Sequence, residues 1–454
     1  MTFHRGPWRL LLIVAAGIAV LVSPTAHTVQ AASPDARNYG FQLRIRQVFL
    51  DNAIDLNNMT DDETHFFRIR SALWGRFRPT SNTEIYARLN NEFRRHFHPD
   101  VDFEIDETIF ENLYFRWTDM ADLPLDLTVG RQNIVLGEGF LVMDGGPLDG
   151  SRTNYQNGVR LTWRMRSQTI DLIAISNPSK DEYLPIINDQ DRALVESDER
   201  LVGVHLSCTR VKGLEFQPYY FYKEEDPRAG SLHHLKLHTP GARFAYQLTA
   251  GVKIVAEAAV QRGNRCGEDV SAFGGYGYVE KRSPSSGEGI TLGMIHLSGK
   301  SEETVDPWNP LLSRWPKWSE LYIYTLIRED GVAYWQNFRA LFLKLDAPFR
   351  NRGVFSACVY RLTAHEPRLG FFPSHHRGWL LESQLRLRLH PGIKGHMLAE
   401  VFLPGDFYAE AASWGLFLAD ETKVPETAPI STKGSLGFGM DRAVFLRWEL
   451  LFDF

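Results

Sequence analysis

Residues 444–454 read Val444-Phe-Leu-Arg447-Trp448-Glu449-Leu-Leu-Phe452-Asp453-Phe454. Val444, Leu446, Trp448, Leu450, Phe452 and Phe454 fall on one side of an extended chain, with Arg447, Glu449 and Asp453 on the other. A water-soluble protein has no physical reason to end on an exposed row of aromatic and aliphatic side chains. An amphipathic last strand closing on phenylalanine is similar to the targeting signal of bacterial outer-membrane barrels, and it predicts the barrel-assembly machinery as a partner.

The same period of two runs back through the chain. Phe41, Leu43 and Ile45 alternate with Gln42, Arg44 and Arg46. Phe67, Ile69, Leu73 and Phe77 alternate with Arg68, Arg70, Arg76 and Arg78. Val159, Leu161, Trp163 and Met165 oppose Arg160, Thr162, Arg164 and Arg166, and Leu381, Leu385, Leu387 and Leu389 oppose Glu382, Gln384, Arg386 and Arg388. A soluble sandwich or β-helix alternates too, but here the apolar faces run long, aromatics sit near strand ends, and short turns alternate with long loops. Segments 79–82, 166–168 and 390–392 are tight, whereas 134–154, 177–199, 300–331 and 404–440 are long. An arginine facing mid-bilayer lipid costs roughly 2–4 kcal/mol, so four of them in 66–78 set the register at a stake of about 8–16 kcal/mol. The cationic face therefore lines a lumen and the apolar face meets lipid.

The N-terminus supports export. His4, Arg5 and Arg9 precede the apolar run Leu10–Val22, and Val29-Gln30-Ala31 offers a cleavage site. The run is about 13 residues against the ~20 that a spanning helix needs. Residues 1–31 are expected to be a cleaved signal peptide, 32–38 a short extension, and 39–454 a single outer-membrane barrel. The predicted fold is all-β: a transmembrane antiparallel β-barrel of 18 strands, with long extracellular loops and short periplasmic turns, in the outer membrane of a Gram-negative bacterium. Nineteen candidate strands can be counted, but an even number is required when both ends lie on one side. The stretch 232–263 reads as two strands or three, and Phe338–Leu343 resists assignment because apolar residues occupy both faces.

The formal charge of −5 gives no indication of nucleic acid, yet about three quarters of the 50 basic residues are arginine. Alternation alone places Arg44, Arg68, Arg70, Arg160, Arg386 and Arg388 on the lumen. One arginine ~10 Å from a carboxylate in water contributes only ~0.4 kcal/mol. A dozen in a low-dielectric wall raise the potential by several kT, while Glu84, Glu382, Glu449, Asp144 and Asp149 keep an anion from binding too tightly to leave.

Leu127-Thr-Val-Gly130-Arg131-Gln132 followed by Gly137-Glu-Gly139-Phe-Leu141-Val-Met143-Asp144-Gly145-Gly146-Pro147-Leu148-Asp149-Gly150-Ser151-Arg152-Thr153 resembles the alginate export porin family, best over 105–165, with a second patch at Ser298-Gly299 and Trp308-Asn309-Pro310-Leu311. The resemblance implies an 18-stranded barrel whose electropositive constriction passes an anionic polyuronate. It also implies Arg131 and Arg152, with Asp144 and Asp149, at that constriction; the plainer reading has Asp149 capping a turn and Arg152 pairing with it. The expected partners are an anionic saccharide or polymer, alginate being one candidate, and outer-membrane lipid.

Other chemistry finds little support. The pairs His96/His98, His233/His234 and His375/His376 lack a matching Cys or carboxylate cluster, so no metal or cofactor is expected. Ser151 is not in a Gly-x-Ser-x-Gly elbow, and the glycines of 273–289 read as strand packing or turns. The three cysteines are odd in number and widely spread, and imply no disulfide framework. The expectation is a non-enzyme porin. A barrel enzyme acting on lipid or glycan and a loop-plugged anchor or adhesin are the alternatives.

Overall fold

The computed structural model describes residues 38–454 except 102, 145–154, 196, 228–233, 301–306, 314–317, 332–333, 351, 368–372 and 410–438. Strands β1 (Tyr39–Asp51), β2 (Thr64–Thr80), β3 (Thr83–His98), β4 (Glu104–Trp117), β5 (Leu125–Gln132) and β6 (Gln156–Met165) come first. There follow β7 (Gln168–Asn177), β8 (Ser197–Cys208), β9 (Leu214–Pro227), β10 (Leu235–Thr249), β11 (Val252–Arg265), β12 (Glu268–Arg282) and β13 (Gly289–Leu297). A helix, α1 (Tyr322–Asp330), precedes β14 (Phe338–Phe349), β15 (Gly353–Thr363), β16 (His376–His390), β17 (Ile393–Pro404) and β18 (Ala443–Asp453). Each strand pairs antiparallel with the next, and β1 pairs with β18, so the 18-stranded sheet has no edge. Closure removes the unpaired backbone groups that an open sheet would expose.

The seam is held by the last strand, β18, against the first. Leu43 lies opposite Phe452 and Arg44 opposite Leu451. The Phe454 amide donates to the Phe41 carbonyl at 2.9 Å, and their rings stack 6.2 Å apart. Two-residue turns at 81–82, 166–167, 250–251 and 391–392 share one end of the barrel, and the long connections 133–155, 178–196, 298–337 and 405–442 share the other. The doubtful stretch at 232–263 resolves into two strands, β10 and β11.

The faces fall as alternation dictates. Leu73 and Phe77 in β2 are 58% and 64% exposed on the outer surface, while Arg68 and Arg70 of the same strand turn inward and are buried. Towards the long-loop end the inner face changes character: Val48, Leu50, Phe66, Leu235, Leu237 and Phe338 are apolar, inward and buried. They pack with Trp308, Leu311, Leu312, Leu321, Tyr322, Ile323 and Leu326 from the 298–337 connection. There the inner wall meets protein instead of water, which is why Phe338–Leu343 carries apolar residues on both faces. Phe338 stacks on Trp318 at 4.6 Å, whereas Leu341 and Leu343 are exposed outside.

Candidate functional site

The inner wall from β16 round to β4 is basic and organised about two carboxylates. Glu92 on β3 is fully buried and lies 3.1 Å from Arg68, 3.0 Å from Arg70, and 3.5 Å from both Arg44 and Arg94. Glu449 on β18 takes Arg46 at 2.7 Å and Arg44 at 3.8 Å. Arg94 also reaches Asp106 at 3.5 Å, and Arg447 reaches Glu320 at 2.9 Å. Six arginines thus share Glu92, Asp106, Glu320 and Glu449, leaving the wall with an excess of positive charge. Strand alternation brings these groups onto one face, and cross-strand register stacks them: Arg44 stands opposite Arg70, Arg46 opposite Arg68, and Arg68 opposite Arg94. Each interposed carboxylate offsets the repulsion such stacking would otherwise produce.

Arg160 also faces inward, 2.8 Å from Asp171, to which Thr162 donates a second bond at 2.5 Å. Arg386 and Arg388 differ from the rest. They are exposed near the short-turn mouth, with Lys394 opposite Arg388, and carry no ion pair among the described residues. Arg131 is placed otherwise than the passage-lining position expected of it. Its side chain is 1% exposed and makes a two-pronged contact to Asp181 at 2.5 and 2.8 Å. It also donates to Asn157 and to the Phe110 carbonyl, and its guanidinium lies 4.1 Å over the Tyr155 ring. The physical reason is that β5 and β6 are short. The 178–196 connection closes the wall above them, pairing Ile187 with Thr108 of β4, and Arg131 staples it down. Asp144 is half-buried on the 133–155 connection; Asp149 and Arg152 lie outside the described residues.

The wall from β8 to β12 is of opposite sign. Lys223 is buried between Glu199 at 2.8 Å and Glu225 at 2.7 Å. Arg243 pairs with Glu138 at 2.8 Å and Glu215 at 3.3 Å, and Glu257 accepts from Tyr219 and Tyr276. Of the groups just named five are glutamates and two are cations; Lys253, Arg265 and Arg282 also turn inward on β11 and β12, with Glu280 and Glu268 opposite the first two. Glu138 belongs to the 133–155 connection, which folds into the lumen and reaches β10 and β12. Gly137 takes φ +57° where that connection touches Arg243 and Gln217, so glycine is favoured at the turn. The two inward connections meet one another: Val142 bridges Leu312, the Leu312 amide donates to Leu141, and Phe140 stacks on Trp308 at 5.3 Å. Helix α1 is fixed beside them. Glu400 of β17 accepts from Ser319 and from the Glu320 and Leu321 amides, and Arg377 of β16 bonds Glu329 at 2.8 Å.

Glu92 was legible as a lone acid within the inward row Asn90, Glu92, Arg94. Asp181, Glu138 and Arg377 were not, because each meets its partner only when a long connection folds back on the barrel. Among the described residues no three His, Cys, Asp or Glu side chains are grouped to hold a metal, and all three cysteines are free.

The barrel geometry and the basic wall agree with one further finding: the alginate export family model matches residues 35–293. The chain belongs to the alginate export family. Among solved structures it is similar to three Pseudomonas aeruginosa proteins at the level of fold. OpdO matches with TM-score 0.55 and 10% identity over 92% of this chain and 97% of that one. OccK11 (OpdR) matches with TM-score 0.53 and 11% identity over 91% and 95%. OpdQ matches with TM-score 0.54 and 8% identity over 92% and 98%. Comparison with curated proteins finds no match to the sequence. Membership of the alginate export family and a closed 18-stranded barrel make this chain an outer-membrane channel protein.

Proposed function

We propose that this barrel passes an anionic solute, an acidic polysaccharide or oligosaccharide such as alginate, across the outer membrane of a Gram-negative bacterium. The observation that carries the reading is the cation excess on the inner wall from β16 to β4, with Arg386 and Arg388 unpaired at the mouth where the turns are short. An anion arriving there meets exposed guanidinium groups first. It then follows a row of arginines already held by glutamates, whose field attracts without any one of them binding tightly. The acidic wall opposite orients the field across the passage, so carboxylates or sulfates run along one side. The exposed C-terminal row ending in Phe454 is, in this reading, the handle for the barrel-assembly machinery.

Planar-bilayer recording tests the function. Reconstituted protein is expected to conduct with a reversal potential on the anion side, and R386E/R388E to move it towards cations. An unchanged reversal potential defeats the assignment of the basic wall. A second reading has one observation in its favour: Leu141 and Val142 of one inward connection meet Leu312 of another inside the barrel at the long-loop end. A plugged anchor shows no open conductance even when those connections are trimmed.

A further inference from the structure

The outer surface carries a feature that solute passage does not use. Strand alternation turns His238, Arg262, His296, Arg339 and Arg361 outward on β10, β11, β13, β14 and β15, all near the long-loop end. Four of the five neighbour an exposed apolar residue of the same row: Val260 before Arg262, Met294 before His296, Leu341 beside Arg339, Val359 before Arg361. His238 lies directly opposite Arg262, and His296 directly opposite Arg339. Register steps them across the sector: through Gly275, His296 aligns with Ala258, four residues along β11 from Arg262, and Arg361 lies opposite Leu341. All of them edge the long-loop side of the band that meets acyl chains.

Elsewhere on this rim the outward cations have carboxylates. Arg95 pairs with Asp100 at 2.8 Å, His98 with Asp61 at 3.0 Å, Arg200 with Glu224 at 3.5 Å and with Asp226, and Lys236 with Glu224 at 3.9 Å. Arg262, Arg339 and Arg361 have no ion pair among the described residues; Arg262 donates only to the Gln261 carbonyl. The Arg339 Nε and His296 Nε2 atoms are buried without a hydrogen-bond partner. Glu366 lies 3.1 Å from His365. Among the sector's cations a groove of about 680 Å³ opens in the outer wall, lined by Pro240, Ala242, Ala258, Gly275, Phe273 and His296. It opens because three neighbouring strands carry Ala or Gly there, beside the larger Phe244, Val260 and Met294.

We propose that this sector is a binding site for a phosphorylated lipid of the leaflet at the long-loop end, an acyl chain lying in the groove and its phosphates on Arg262, Arg339 and Arg361. Guanidinium groups meet phosphate oxygens two at a time, which satisfies donors the protein leaves open. Arg339 and Arg361 stand on adjoining strands, and Arg262 lies three strand spacings, roughly 14 Å, across from Arg339 and four residues along the strands, a gap that two phosphates of one headgroup bridge when the side chains reach towards them. A soluble anion lacks the tail to fill an apolar groove, and a zwitterionic lipid lacks the uncompensated charge.

The test uses the full barrel in phosphatidylcholine nanodiscs doped with lipid A, with lipid retained after repurification read by native mass spectrometry. Wild type is expected to enrich lipid A over phosphatidylcholine. R262Q/R339Q/R361Q, which removes the charges, and A242L/A258L, which fills the groove, are each expected to lower that enrichment about tenfold or more. R95Q, on a paired part of the rim, keeps it. Heat-modifiable electrophoretic mobility confirms that each variant is a folded barrel. Unchanged enrichment in the folded triple variant overturns the proposal. So does enrichment that only R95Q abolishes, or a dimer that A242L/A258L dissociates, since the groove would then seat a second copy.

Discussion

Arg131 and Arg386 carry the same charge in the same barrel and do opposite things. Arg131 has lost its water and lives on Asp181, Asn157 and a peptide carbonyl; Arg386 is exposed to water and has no ion pair among the described residues. A buried charge stripped of its partner is strongly penalised, by roughly 3–5 kcal/mol. Asp181→Ala and Arg131→Ala are each expected to lower barrel stability on that order in denaturant titrations, and the double variant by much less than the sum. Additive losses would mean the pair is not the staple. Asp62, in the connection after β1, offers a pH handle. It accepts from the Asn52 amide at 2.8 Å, and burial, with Asp55 nearby, pushes its carboxyl up from 3.8 to about 6. An acid that holds its proton more tightly when folded contributes most at low pH, and that contribution falls as pH rises from about 4 to about 6. The 52–63 connection should therefore resist proteolysis better at pH 5 than at pH 7.5. In Asp62→Asn the difference should shrink; if it persists at full size, another group is responsible.

At the scale of elements, the strands were readable and the lumen contents were not. Period two, tight turns and the closing strand located β1, β2, β6, β16 and β18 and the total of 18, because alternation is a local property of the chain. What the inner face meets is not local. Nothing in Tyr322–Asp330 announces a helix tethered inside a barrel, since its anchors, Glu400 and Arg377, lie 50 to 80 residues away in sequence. Arg377 bonds Glu329, Tyr322 and Tyr408, and stacks over Phe407 at 4.2 Å. Arg377→Ala is expected to loosen α1 from the wall, raising single-channel conductance and its open-state noise while leaving β16 paired. A quiet channel of wild-type conductance would show that α1 does not narrow the passage.

Over the whole molecule the relevant quantity is the summed field of the lumen. Its reach in solution is the Debye length, ~30 Å at 0.01 M salt and ~3 Å at 1 M. Anion selectivity is therefore expected to be strong in dilute salt and to fade as salt rises, measured as the reversal potential under a fixed concentration gradient. Selectivity independent of ionic strength would point to a steric filter instead.

The sequence by itself determined the barrel and its sidedness. Burying guanidinium groups in hydrocarbon is costly enough that alternation admits only one way round, and each strand repeats the constraint. Only the tertiary structure decided which arginines remain available to a solute. Pairing depends on carboxylates delivered by other strands and by loops folding inward, and those distances exist only once the ring has closed.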